Sequence, residues 1–171
     1  MNIILKSKKT KKLKKKEVND ICKLKNTHWN YCLKNQKKWF KNNIDNKDIH
    51  NLLFFNNKII GYTCLRERIF TNQKKIEKKY LYFDTLIINK KYRKFRLGYK
   101  LMMFNSKIIK NNFKPSFLIC KKGLYKFYKK YNWKLTKKNY FKIEDHQTKK
   151  RIMAFNFKLS NLSKTNIFIN K

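Results

Sequence analysis

The sequence predicts a mixed α/β fold: a mostly antiparallel sheet with one central parallel pair and helices on both faces. Two observations predict it. Three apolar runs, NLLFF, KIIGYTCLRERIF and YLYFDTLIIN, follow one another across turns too short for crossovers, so their strands run antiparallel. A helical stripe of Leu97, Leu101, Phe104 and Ile108 then separates the strand Tyr80 to Asn89 from the short apolar run SFLIC. A helical crossover makes the two strands it joins parallel.

Each element has its own signal. NIILK, from Asn2 to Lys6, reads as a first strand. Val18, Ile21, Cys22, Leu24 and Trp29, then Leu33 and Trp39, recur at helical spacing, which predicts one or two helices between Glu17 and Phe40. Asn56-Asn57 tolerates positive φ and turns the hairpin of Asn51 to Phe70. Met102 and Ile109 widen the stripe of the Leu97 helix, and Lys114-Pro115 ends it. Leu124, Phe127, Tyr128 and Tyr131 mark a short later helix. The runs Asn139 to Ile143 and Arg151 to Leu159 are expected to pair as a hairpin. One domain over residues 1–160 is expected, with residues 161–171 as a frayed tail.

Lys and Arg outnumber Asp and Glu by 46 to 9, a formal charge of +37, which attracts polyanions and opposes compaction. Nucleic acid is the first partner such a field suggests. The competing source is coding bias: Lys, Asn, Ile, Phe and Tyr all have AT-rich codons, and the lysines are spread along the whole chain. Cys22, Cys32, Cys64 and Cys120 form no C-x-x-C pair and are not at metal-ligand spacing with His28, His50 or His146, so no metal is expected. Ile3-Ile4-Leu5 is too short for a signal segment, and no run approaches the ~20 apolar residues of a membrane span. A cytoplasmic protein is the expectation.

Two stretches resemble the GNAT superfamily of acyl-CoA N-acetyltransferases. IINKKYRKFRLGYKLM is similar to the strand, turn and helix of that family, V-x-P-x-Y-R-G-x-G-x-G-x-x-L-L, with Tyr92, Arg93, Gly98 and Leu101 in the expected places. LICKKGLYKFYKKYNWK is similar to the later strand and helix ending in F-Y-x-x-x-G-F/W, matched by Phe127, Tyr128 and Trp133. Lys94 and Arg96 stand where the family keeps glycine, and Asn132 replaces another. The element order agrees from about residue 2 to residue 159. The apolar hairpin and Arg96 resemble, more narrowly, the branch of aminoglycoside 2'-N-acetyltransferases.

The resemblance implies acetyl-CoA as acyl donor and direct attack on the thioester by a primary amine of a small molecule. The turn of Arg93, Lys94, Phe95, Arg96, Leu97 and Gly98 would wrap the pyrophosphate with backbone amides at a helix N-terminus. Leu86, Ile87 and Ile88 would line the pantetheine arm, between strands that part to admit it. Asp84 shares a strand face with Tyr82, Leu86 and Ile88, where a carboxylate is costly unless paired or functional. It is the candidate base, and an ion pair with a lysine is its structural alternative. Tyr128 is the candidate acid for the departing thiolate, and it also belongs to its helix's buried stripe. Glu67 is placed to receive a cationic acceptor, and Trp29, Tyr31 and Trp39 to wall the acceptor site. Two other readings suit the same residues: an RNA- or ribosome-associated protein that keeps the fold without turnover, and an acetyltransferase of protein N-termini or lysines.

Overall fold

A computed structural model of the protein describes residues 2–72, 75, 77–136, 141–143, 151–157 and 165–167. In chain order the elements are β1 (Ile3–Lys9), α1 (Lys15–Asn26), α2 (Leu33–Asn43), β2 (Ile49–Phe55), β3 (Lys58–Asn72) and β4 (Glu77–Ile88). There follow α3 (Leu97–Asn111), β5 (Ser116–Cys120), α4 (Tyr125–Lys129), β6 (Lys134–Leu135), β7 (Phe141–Ile143), β8 (Arg151–Phe155) and β9 (Thr165–Ile167). No helix among the described residues is long and apolar enough to cross a membrane. The chain forms two compact units, Met1–Arg66 with Thr85–Asn105 and Glu67–Asp84 with Ser106–Lys171, so β3, β4 and α3 each contribute to both.

In the first unit β1 pairs antiparallel with β2, from Ile3↔Phe55 to Lys9↔Ile49, and β2 pairs antiparallel with β3. Asn56 and Asn57 turn that hairpin at φ 45 and 60, the geometry a two-residue turn requires. Side chains alternate between the two faces. Leu52, Ile59, Tyr62, Cys64 and Ile87 face α1 and α2, packing on Ile21, Cys22, Leu24 and Phe40. Leu53, Ile60 and Ile88 face α3 through Leu97 and Leu101. A Cβ on Gly61 would stand 2.6 Å from Ile88 Cδ1, 3.2 Å from Leu53 Cβ and 3.4 Å from Leu101 Cδ2. Glycine at this position leaves room for the Ile88 and Leu53 side chains of the neighbouring strands.

His50 is fully buried beneath α2, and a polar chain fixes its tautomer. The Thr10 hydroxyl donates to the Asp45 carbonyl at 2.5 Å, so it accepts from His50 Nε2 at 2.8 Å. That leaves His50 Nδ1 to accept the Tyr62 hydroxyl at 2.8 Å. Burial, and secondarily the Lys25 charge, depress the imidazole pKa to about 4.

The second unit is held by aromatic contact. Phe70, Tyr80 and Phe117 form one cluster with Ile152 and Ala154. Phe83 meets Tyr128 edge-on at 6.1 Å and tilts against Trp133 at 5.6 Å. The parallel pair expected from the helical crossover is present: β4 pairs with β5 at Leu81↔Ser116 and Tyr82↔Phe117. On its other edge β5 pairs antiparallel with β8 at five positions, from Ser116↔Phe155 to Cys120↔Arg151.

The expected hairpin of the last two runs is not what forms. Among the described residues β8 pairs with β5 and β6, while β7 pairs in parallel with β9. The reason is burial: Ile152 and Ala154 alternate into the aromatic cluster, which draws β8 to β5. Residues 139–140 and 158–159 of those runs lie outside the described residues. Within the segment expected to fray, Thr165–Ile167 pairs antiparallel with Phe70–Asn72 of β3. The two-residue strand β6 carries no alternation from which a sequence reading could find it.

Two measurements check this packing. Unfolded His50 binds a proton below its ordinary pKa, while folded His50 resists until about 4. Stability should therefore fall as pH drops from about 6.5 to about 4, by on the order of 3 kcal/mol. Denaturant titrations at stepped pH measure this, and His50→Asn should flatten the profile in that window. Gly61→Ala should destabilise by about 1–2 kcal/mol through overpacking, read as a lowered urea midpoint at unchanged slope.

Candidate active site

The turn that ends β4 is built around Asn89. Its N–H donates to the Ile60 carbonyl at 2.8 Å, tying the strand end to β3. Its side-chain oxygen accepts from Lys91 N–H at 3.1 Å and its carbonyl from Tyr92 N–H at 2.9 Å. Asparagine thus caps a short 3-10 helix over Lys90–Phe95. Tyr92 packs on Phe55 at 5.5 Å, and Arg93 Nε donates to the Ile88 carbonyl at 3.2 Å, folding back on the strand it follows. Arg96 then takes a left-handed conformation, φ 53 and ψ 20, with its side chain exposed. That backbone state is what glycine supplies elsewhere, and it reverses the chain into α3.

Leu97, fully buried with Leu53, Ile60, Ile88 and Leu101, fixes where α3 starts. The first amides of a helix have no intrahelical acceptor and carry the positive end of its dipole. Gly98 is the second helical residue. A Cβ there would meet nothing within 4 Å, and its φ is not positive. Neither packing nor backbone conformation requires glycine, so its effect is to leave room over the first turn. Helix N-termini of this kind are where anions bind in proteins generally. Lys94 continues the 3-10 helix, and Phe95 is half exposed at 51%.

The three strand residues expected along the pantetheine divide. Ile87 is buried against α1 and α2, Ile88 is buried against α3, and Leu86 is half-buried beside the latter cluster. Two of the three side chains therefore serve the core.

In the second unit Asp84 is half-buried, on the strand face of Tyr82. Tyr128 packs instead on Phe83, the neighbour of Asp84 that points the other way. The two candidates thus come from opposite faces of one strand. Burial, with the nearby Cys120 adding to it, raises the Tyr128 phenol to about 12. Burial raises the Cys120 thiol to about 11, which holds it protonated and removes it as a nucleophile. Asn132, standing where the family keeps glycine, has φ 63, and Trp133 N–H returns to the Tyr128 carbonyl at 3.3 Å. Glu67 lies 3.8 Å from Lys79 and is hydrogen-bonded by Lys114, so it is already neutralised within the fold.

Of the aromatic wall, Trp29 and Trp39 pack half-buried on the first unit's core, and Tyr31 is exposed. Sequence reasoning missed two cations beside Trp39. Lys25 and Arg66 are 6% and 4% exposed. Arg68 is buried to the same degree, at 5%, so it is burial together with the shared Trp39 ring that sets Lys25 and Arg66 apart among the 46 basic residues.

No protein-family model matches this sequence, and no curated protein matches it. Solved structures do match in fold. The Escherichia coli GNAT-family N-acetyltransferase YhbS, solved with CoA, superposes at a TM-score of 0.71 over 98% of this chain and 89% of its own, at 10% identity. An acyl-CoA N-acyltransferase from Pseudomonas aeruginosa gives 0.67 over 90% and 99%, at 14% identity. Arabidopsis thaliana Naa50, bound to the bisubstrate analogue CoA-Ac-MVNAL, gives 0.58 over 90% and 99%, at 18% identity. At these identities the likeness is one of architecture: this chain has the mixed α/β fold of the GNAT N-acetyltransferases.

Proposed function

We propose that this protein is an acetyl-CoA-dependent N-acetyltransferase acting on a primary amine of a small molecule. The observation that carries the reading is the turn from Asn89 to Gly98. It combines an asparagine cap, a left-handed Arg96, a helix start anchored by Leu97 and a glycine over open space. Arg96, exposed in the same turn, adds positive charge near the helix start. The short β4–β5 ladder supports it further. Pairing at two positions, against five on the other edge of β5, leaves the strands unladdered beyond Tyr82 and Phe117 among the described residues.

The bound donor supplies an acyl carbon activated by its thiolate leaving group. Asp84 takes the proton of the attacking amine, directly or through one water, as the new C–N bond forms. A strand amide near Leu86 donates to the developing oxyanion. As the C–S bond breaks, Tyr128 gives its proton to the sulfur and later regains one from solvent. A phenol raised to about 12 stays protonated across the working range, as an acid must.

The narrower likeness to the aminoglycoside branch would make the acceptor a polycation, yet the hairpin carboxylate Glu67 is engaged by Lys79 and Lys114. A thiol-release screen over amino acids, amino sugars, polyamines, aminoglycosides and peptides tests the acceptor class directly. The reading fails if acetyl-CoA gives no thermal shift in moderate salt while RNA is retained with a steep salt dependence.

Two substitutions sharpen it. Tyr128→Phe and Asp84→Asn should each lower kcat by about 100-fold with acetyl-CoA binding retained, measured by thiol release and thermal shift. Gly98→Ala should separate folding from binding. The added methyl should stabilise α3 by up to about 1 kcal/mol and weaken acetyl-CoA binding at least tenfold by filling the space above the amides.

A further inference from the structure

Beyond acyl transfer, we infer that the protein holds a second small-molecule site, for a phosphorylated sugar, in a cavity of about 380 Å³ between α1 and the β2–β3 turn. Its lining lies wholly within the first unit. The volume falls in the range of small-ligand sites, roughly 300–1,000 Å³.

One wall is α1, from which Lys16, Asp20 and Lys23 line the cavity at spacings of four and three, neighbours along one side of the helix. Lys58, opening β3, stands on the turn side. Leu24 and Ile59, both buried, line it from the core. Asn89 closes it at the end of β4, held there by its N–H bond to the Ile60 carbonyl at 2.8 Å. The Asn89 side-chain oxygen accepts from Lys91 N–H, while its side-chain nitrogen has no hydrogen bond among the described residues.

In a chain with 46 basic residues, a cationic cavity alone says little. The carboxylate says more. Asp20 sits where ion pairs with Lys16 and Lys23 form readily on a helix. Yet among the described residues its side chain makes no ion pair and no hydrogen bond, and the side chains of Lys16, Lys23 and Lys58 make none either. Glu17, on the same helix, is by contrast held by Lys8 at 2.7 Å. Charges of both signs therefore line one space without meeting each other.

The ligand must answer both signs. Three ammonium groups less one carboxylate leave two positive charges, and a phosphomonoester carries about −1.5 to −2 near pH 7. Its oxygens accept from the lysines and from the Asn89 side-chain nitrogen. Asp20 needs a donor, which a bare phosphate ester does not offer and a sugar hydroxyl does. The C–H face of the sugar lies on Leu24 and Ile59. A polycation would satisfy Asp20 and be repelled by three lysines. The shared chemistry is that of a free sugar phosphate and of a nucleotide.

The test measures binding to the full chain by calorimetry and thermal shift at fixed ionic strength. The probes are a hexose 6-phosphate, a nucleoside 5'-monophosphate, the parent hexose, inorganic phosphate and sulfate. At least one of the first two should bind about tenfold or more tighter than each of the last three, and the stronger of the pair identifies the source. Lys23→Gln and Lys58→Gln should each weaken that binding several-fold. Both lysines are exposed, so the variants keep the fold. Lys34→Gln, an exposed α2 lysine outside the cavity, should leave binding unchanged. Asp20→Asn should narrow the preference for the sugar phosphate over inorganic phosphate. Equal binding of sulfate, an equal loss in Lys34→Gln, or a preference that Asp20→Asn leaves intact overturns the inference. So does mutual exclusion with acetyl-CoA, which would give the cavity to the coenzyme. If acetyl-CoA does not bind at all, the transferase reading falls on that result, and the sugar-phosphate site is judged by its own probes.

Discussion

Ile88 and Leu53 occupy the space a Cβ on Gly61 would need, at 2.6 and 3.2 Å, so the sheet packs tightly beneath α3, and Leu97 is fully buried in the same cluster. The candidate phosphate turn inherits its geometry from that contact. Asn89 is tied to β3 at one end and Leu97 is buried at the other, leaving the residues between to span a fixed gap. A 3-10 helix followed by one left-handed residue fills it. The first amides of α3 are thus aimed by apolar packing far more than by the charged residues around them.

The charge looks different once burial is considered. A formal +37 reads as a uniform cationic coat. Yet Lys25 and Arg66 are buried around one indole, and Lys79 and Lys114 neutralise Glu67. A lysine in a solvated coat contributes a screened potential and little else. A cation held on an aromatic ring away from water is screened far less, so burial rather than number sets the local field.

Most of the sheet could be read from the sequence because its strands are two-faced. Leu52 and Leu53, Ile59 and Ile60, Ile87 and Ile88 divide between two helical layers, and each pair is visible as an apolar run with turn residues after it. The later strands were harder. β8 pairs with β5 because Ile152 and Ala154 reach the aromatic cluster, a long-range contact with no local signature. At the candidate site, Gly98 and Tyr128 were visible as motif positions. The opposite orientations of Asp84 and Phe83, and the core roles of Ile87 and Ile88, follow only from knowing what each strand face packs against.

Glycine usage carries this logic furthest. The chain holds three glycines, and none has positive φ. The left-handed positions among the described residues are filled instead by Asn56, Asn57, Asn132 and Asn156, and at greater strain by Cys32, Lys75, Arg96 and Phe113. Asparagine tolerates that region better than most residues. A composition that supplies asparagine freely and glycine rarely can therefore still turn corners. What asparagine cannot replace is the absence of a side chain. Gly61 provides that absence to the core, while Gly98 and Gly123 both face open space. Gly98 differs from Gly123 in standing in the first turn of a fifteen-residue helix, where the amides have no intrahelical acceptor.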